Sequence, residues 1–168
     1  MGFQSSVALS SGFGVPGELY VNDPRRSKSY ILDSTAPALN IVGATAYTIV
    51  SEGVAEAGGT GIFAGILIMP KSYALFGVGG IPLAPTLTLP NDTQAEILSM
   101  GTIIVTLPAA ADIGDVVIFD QATGVLSTQA QAAGLPVGSS YANAFVSYYT
   151  VDAPGLAVIT VNPVEIVV

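Results

Sequence analysis

The sequence predicts an all-β protein: a compact jelly-roll-like sandwich or barrel with an extended N-terminal arm. Three observations lead there. From Tyr30 onward, short apolar runs rich in β-branched and aromatic residues recur, and such residues suit a pleated, half-buried surface. Nineteen glycines and eleven prolines interrupt every window long enough for a stable helix. Eight or more runs at short spacing form the pattern of a sandwich or closed barrel. The chain has 168 residues, a length that suits one domain with an ordered arm and can bury about two-thirds of its unfolded surface. Residues 1–24 are expected to be the arm and residues 25–168 a single β-domain.

The elements follow in chain order. Met1 to Pro24 is rich in Gly, Ser and Pro, and Phe3, Val7 and Leu9 alternate as in a short extended segment. Strands are expected at Ala46–Val50, Gly61–Met69, Leu83–Leu89, Gly101–Leu107 and Asp115–Phe119. Three more are expected at Ala144–Val151, Gly155–Val161 and Val164–Val168. Thr93-Gln94-Ala95-Glu96 fits a helix capping box, but the apolar run behind it supports a turn or two at most and reads equally as a strand. Gln129–Ala133 reads as a loop or one helical turn. Asp120-Gln121-Ala122-Thr123-Gly124 lies between two strand-like runs, and Gly124 can take the positive φ that a type I turn with a bulge requires. No repeat of 20–50 residues is visible, which argues against a solenoid.

Composition removes several classes of function. Histidine, cysteine and tryptophan are absent. The chain thus lacks the commonest general base, the commonest metal ligand and the best thiol nucleophile. Only 10% of residues are charged, and twelve carboxylates against four cations give a net charge of −8. Such a chain lacks the Lys/Arg needed to neutralise phosphates, so neither nucleic acid nor an anionic membrane is an expected partner. Ile62–Met69, the longest apolar stretch, falls well short of the roughly 20 residues of a membrane-crossing helix. With 51% hydrophobic residues and so little charge, the surface is expected to be covered in part by partner proteins. No catalytic residue, cofactor or metal is expected.

Several motifs have plain readings. Gly12-Phe13-Gly14-Val15-Pro16-Gly17 matches G-x-G-x-x-G, but that motif needs a strand before it and a helix after it. Met1-Gly2 with Ser6 matches a myristoylation pattern, though one acyl chain anchors only marginally. Asp112, Asp115 and Asp120 lack the spacing of a calcium loop and read as solvated turn carboxylates. Asn91-Asp92-Thr93 is a formal glycosylation sequon. No two of the twelve acids are singled out as a glycosidase pair, and no serine or lysine has a nucleophile's context.

Arg25-Arg26-Ser27-Lys28 holds three of the four cations. It reads either as a solvated loop balancing Asp23 and Asp33, or as a docking patch for carboxylates on a partner. Arginine suits the second role because its planar fork grips carboxylates bidentately.

The opening Met1-Gly2-Phe3-Gln4-Ser5-Ser6-Val7-Ala8-Leu9 resembles the start of the structural cement (capsid decoration) proteins of tailed bacteriophages. So do Pro16-Gly17-Glu18 and Asn22-Asp23-Pro24-Arg25. Gly61–Leu67, Leu87–Val105 and Gly114–Gly124 resemble strands of that family more loosely, and Gly77–Pro85 reads as an added loop. The resemblance implies a non-enzymatic domain on the outer capsid surface of the virion. It would bind the major capsid protein, bridge neighbouring subunits and pair with itself as a homodimer or homotrimer. On that reading Phe3, Gln4, Val7 and Leu9 would lie along a capsid or sister subunit, and Arg25, Arg26 and Lys28 would meet acidic residues there. The alternatives are another virion part (a tail, spike or fibre subunit), and then a carbohydrate-binding β-sandwich using Tyr141, Tyr148 and Tyr149.

Overall fold

The computed structural model describes residues 14–20, 22–70 and 87–162. Nine strands lie among them: β1 (Arg26–Leu32), β2 (Ala46–Ser51), β3 (Val54–Ala57), β4 (Phe63–Leu67), β5 (Gln94–Leu107), β6 (Val116–Asp120), β7 (Leu126–Gln129), β8 (Ser139–Val146) and β9 (Gly155–Val161). A single 3-10 turn, Pro37–Leu39, interrupts them. Among the described residues no helix is long and apolar enough to cross a membrane.

The strands run in the order β1-β3-β2-β4-β5-β9-β8-β6-β7, and an added β1–β5 pairing closes the first five into a barrel. Of the two forms allowed by the sequence, the structure therefore has a barrel, extended by a second sheet. All ladders are antiparallel except β1–β3, which is parallel through Ile31↔Val54 and Leu32↔Ala55. The long strand β5 belongs to both parts. Its first half pairs with β1 and β4, and its second half, Gly101–Leu107, pairs with β9.

Two apolar cores follow from this division. Tyr30, Leu32, Tyr47, Leu67, Leu89 and Ile97 fill the barrel. Ile103, Val105, Leu107, Val117, Phe119, Val146 and Ile159 fill the second. Each large aliphatic side chain buried in this way contributes about 1.5–3 kcal/mol. The barrel core also holds a satisfied polar network. Buried Asn40 accepts from Ser34 Oγ at 2.6 Å and donates through Nδ2 to Leu89 O at 3.1 Å and Asn91 Oδ1 at 2.8 Å. Asn91 in turn donates to Ser34 O, so the sequon amide is already in use as a structural link.

Close backbone approach explains one conspicuous glycine. Gly65 has φ +139°, and a Cβ there would sit 2.0 Å from Leu98 O on the adjacent strand β5. Glycine alone allows both the conformation and the contact.

Several expectations meet their outcome here. β2, β4, β6 and β9 lie where apolar runs were seen. The Asp120–Gly124 hairpin is present, with Gly124 at φ +74° and its carbonyl accepting from Ala46 N. Thr93–Glu96 is no capping box; Gln94 opens β5, because β1 supplies an antiparallel partner on one edge and β4 joins the other edge at Ile97 and Leu98. The run Ala144–Val151 divides: β8 ends at Val146, and the chain turns at 147–149. β1 carries too many polar residues, and β3 is too short, to stand out as an apolar run. The expected strand Val164–Val168, most of Leu83–Leu89 and the Gly77–Pro85 loop fall outside the described residues.

Candidate functional site

The arm residues Phe3, Gln4, Val7 and Leu9 lie outside the described residues. Residues 14–20, also within the stretch expected as an arm, run along the second half of β5. Gly17 N donates to Ile104 O at 2.8 Å, Ile104 N to Glu18 O at 2.9 Å and Tyr20 N to Thr102 O at 3.1 Å. Leu19 faces Ile103 in an antiparallel bridge. Gly17, last residue of the G-x-G-x-x-G match, sits at φ +83° with Val42 and the Met69 backbone where a Cβ would be. Its role is close packing; no helix follows to receive a phosphate.

The cationic cluster is set at the start of β1. Arg25, Arg26 and Lys28 are all exposed. Side chains alternate along a strand, so Arg26 and Lys28 share the face that carries Tyr30 and Leu32 into the core two and four residues later. The strand thus begins beyond the end of the barrel core and enters it at Tyr30. Its backbone is fixed on one edge by β5, through Lys28↔Ile97, Ser29↔Glu96 and Tyr30↔Ala95. Ser27 Oγ donates to Glu96 Oε1, and Ser99 Oγ to Arg26 O at 3.1 Å. Arg25 borders a cleft of about 660 Å³ with Glu18, Glu96, Leu19, Ile68 and Met69. The three predicted cations thus lie exposed at the start of β1, with Arg25 beside residues 17–19.

Sequence reading singled out Tyr148 and Tyr149 but did not anticipate that they cluster with Tyr20. Tyr20 packs edge-on against Tyr148 (5.2 Å between ring centres, 60°) and Tyr149 (6.0 Å, 88°). The Tyr20 and Tyr149 hydroxyls are 2.5 Å apart. That hydrogen bond, with some desolvation, holds the Tyr20 phenol above its ordinary pKa. Tyr148 takes φ +68°, and Tyr149 N donates to Ser147 O at 2.9 Å, which is the hydrogen bond of a γ-turn, a strained conformation for a bulky residue. The cluster is thus edge-on at Tyr20 and tilted by 40° between Tyr148 and Tyr149. Its visible chemistry is to tie the stretch 14–20 to the β8–β9 connection.

A second feature that the sequence did not mark is a recess of mixed lining. Ile62 (76% exposed) and Leu135 (40%) line a recess of about 800 Å³ together with Phe63, Phe119, Tyr141 and the polar Thr60, Ser140 and Asn143. Gly134 and Gly138 bracket Leu135-Pro136-Val137, a signal that could have marked an exposed apolar turn.

The carboxylates of Asp115 and Asp120 serve turns, and Asp112 takes part through its backbone: Asp115 Oδ2 accepts from Asp112 N, while Asp120 Oδ1 accepts from Ala122 N, Thr123 N and Thr123 Oγ1. Among the described residues no three acids gather as a metal site.

Comparison with known proteins places the chain in a family. The model of the family described as structural cement protein (E217 gp24/Pam3 gp6) matches residues 3–162. A chain in the solved capsid of Myoviridae phage XM1 has the same fold at TM-score 0.60 and 16% identity, over 96% of this chain and 98% of that one. No curated protein matches the sequence.

Proposed function

The chain belongs to the structural cement protein family, a non-enzymatic component of the phage capsid, and from that premise we propose how it holds the shell. It sits on the outer face and bridges neighbouring major capsid subunits. The double core makes the domain a rigid clip. Residues 1–13, with Phe3, Val7 and Leu9 as apolar anchors and Gln4 as a hydrogen-bonding neighbour, lie along an adjacent subunit. Arg25, Arg26 and Lys28 meet carboxylates there. The chain pairs with copies of itself as a dimer or trimer, so that modest contacts repeated around a symmetric shell sum by multivalency.

The family match over residues 3–162 carries this reading. The position of the three cations supports the mechanism: they are solvent-facing on a chain of net charge −8 and anchored to the barrel by the β1–β5 ladder.

Co-sedimentation with capsids that lack the protein tests it. The full chain is expected to bind saturably, and a form deleted for residues 1–13 to bind at least about tenfold more weakly, a loss of one or two good contacts. Equal binding by both forms removes the arm from the mechanism. No binding by the full chain overturns the capsid-surface reading.

A further inference from the structure

The barrel is closed, but its closure is uneven. β1 contacts β3 only at Ile31 and Leu32, whereas its pairing with β5 runs from Arg26 to Ile31. The first four residues of β1, Arg26–Ser29, therefore overhang the end of β3. Backbone directions follow from the two ends of the strand. Leu32 N donates to Thr93 O on the β5 side, and Ile31 N donates to Gly53 O on the β3 side. Successive residues alternate, so Lys28 and Tyr30 turn their N–H and C=O toward β5. Ser27 and Ser29 turn theirs the other way, where no strand among the described residues pairs with them.

An open edge of this kind is a template for another strand. We infer that Arg26–Ser29 accepts an extended acidic segment of a capsid subunit by strand addition, with main-chain hydrogen bonds to Ser27 and Ser29. The inference rests on the capsid reading above for the source of the segment. Charge selects the occupant. Arg25, Arg26 and Lys28 are exposed along and beside this edge, and they are three of four cations in the chain. Cations on a sheet edge repel apolar or basic strands, and an acidic strand is the class that they attract. Main-chain bonds supply affinity and the flanking cations supply selectivity, the division of labour seen in strand addition generally. The overhang is short, two outward-facing residues, so the segment gains at most a few backbone hydrogen bonds. Repetition around the shell makes that sufficient.

Amide hydrogen exchange on the full-length protein is the test, alone, with capsids lacking it, and with a ten-residue peptide of alternating Thr and Asp. In the free protein the Ser27 and Ser29 amides are expected to exchange quickly and those of Lys28 and Tyr30 slowly. Capsids or the peptide should slow Ser27 and Ser29 at least about tenfold, an effect that weakens with added salt. The variant Ser29→Pro removes only an outward N–H and should weaken capsid binding about tenfold, while Ser29→Ala should bind normally. Capsid binding that leaves both amides unchanged overturns strand addition, as does Ser29→Pro binding at full strength. Protection by the peptide without any capsid binding sustains the acidic-strand acceptor while overturning its capsid source. Protection by neither capsids nor peptide overturns the inference outright.

Discussion

Gln94–Met100 and Gly101–Leu107 are halves of one unbroken strand, β5, in unlike surroundings. The first half lies in the barrel, where Gln94 and Glu96 point to solvent and Ala95 and Ile97 point to the core. Strands close to it in the barrel occupy both its edges. The second half is buried on both faces. Ile103, Val105 and Leu107 fill one core, while Ile104, 1% exposed, faces away from it, against Gly14. β9 covers one edge and residues 17–20 the other. The barrel half is thus completed by named strands, and the sheet half by a short stretch from the chain's beginning. Whatever pulls on the N-terminal residues pulls on the sheet half first.

The largest effect that would break this comparison comes from Gly65→Ala. A Cβ there meets Leu98 O at 2.0 Å in a left-handed conformation, so the β4 edge of the barrel half must separate. Loss of folding, or destabilisation on the order of 3–5 kcal/mol in denaturant titration, is expected. Ile104→Ala probes the sheet half and should cost about 2–4 kcal/mol. Its distinguishing sign is faster exchange at the Gly17 and Tyr20 amides, with β1 amides unchanged; a uniform rise across both halves would erase the distinction.

Tyr47→Phe gives the smallest effect and sharpens the barrel side. Tyr47 is fully buried beside Ile97 and donates to Asn40 Oδ1 at 3.3 Å. Burial raises its phenol above the ordinary value of 10.0. The folded chain therefore keeps this proton where the unfolded chain releases it. The resulting stability is complete below about pH 10 and is lost progressively as pH rises above that value. Tyr47→Phe should cost about 1 kcal/mol at neutral pH and flatten the decline in alkaline solution, measured by thermal unfolding between pH 7 and 11.5.

Local chemistry made some elements readable in advance. The β6–β7 hairpin is encoded by Asp120, whose carboxylate gathers three donors within the turn, and by Gly124, whose positive φ no side chain would favour. Both signals lie within five residues. β1 was harder, because Arg26, Ser27, Lys28 and Ser29 have no apolar alternation and become a strand only when β5 binds them. The candidate site divides the same way. Three cations in a chain of net charge −8 are conspicuous in the sequence. The Tyr20, Tyr148 and Tyr149 cluster is not, since its members are separated by 129 positions at the shared hydroxyl contact.

The sequence by itself determined that this protein is all-β, that it has neither His nor Cys for catalysis, and that three of its four cations fall within residues 25–28. Those properties depend on composition and on neighbours along the chain: punctuation by Gly and Pro, β-branched runs, absence of His and Cys. Only the tertiary structure decided that β5 serves two cores, that β1 closes a barrel and overhangs its neighbour, and that residues 17–20 complete the far sheet. Each of these is a pairing between distant backbone segments. Backbone hydrogen-bonding groups are the same in every residue except proline, so the choice of partner is made by how whole faces pack, which no local pattern records.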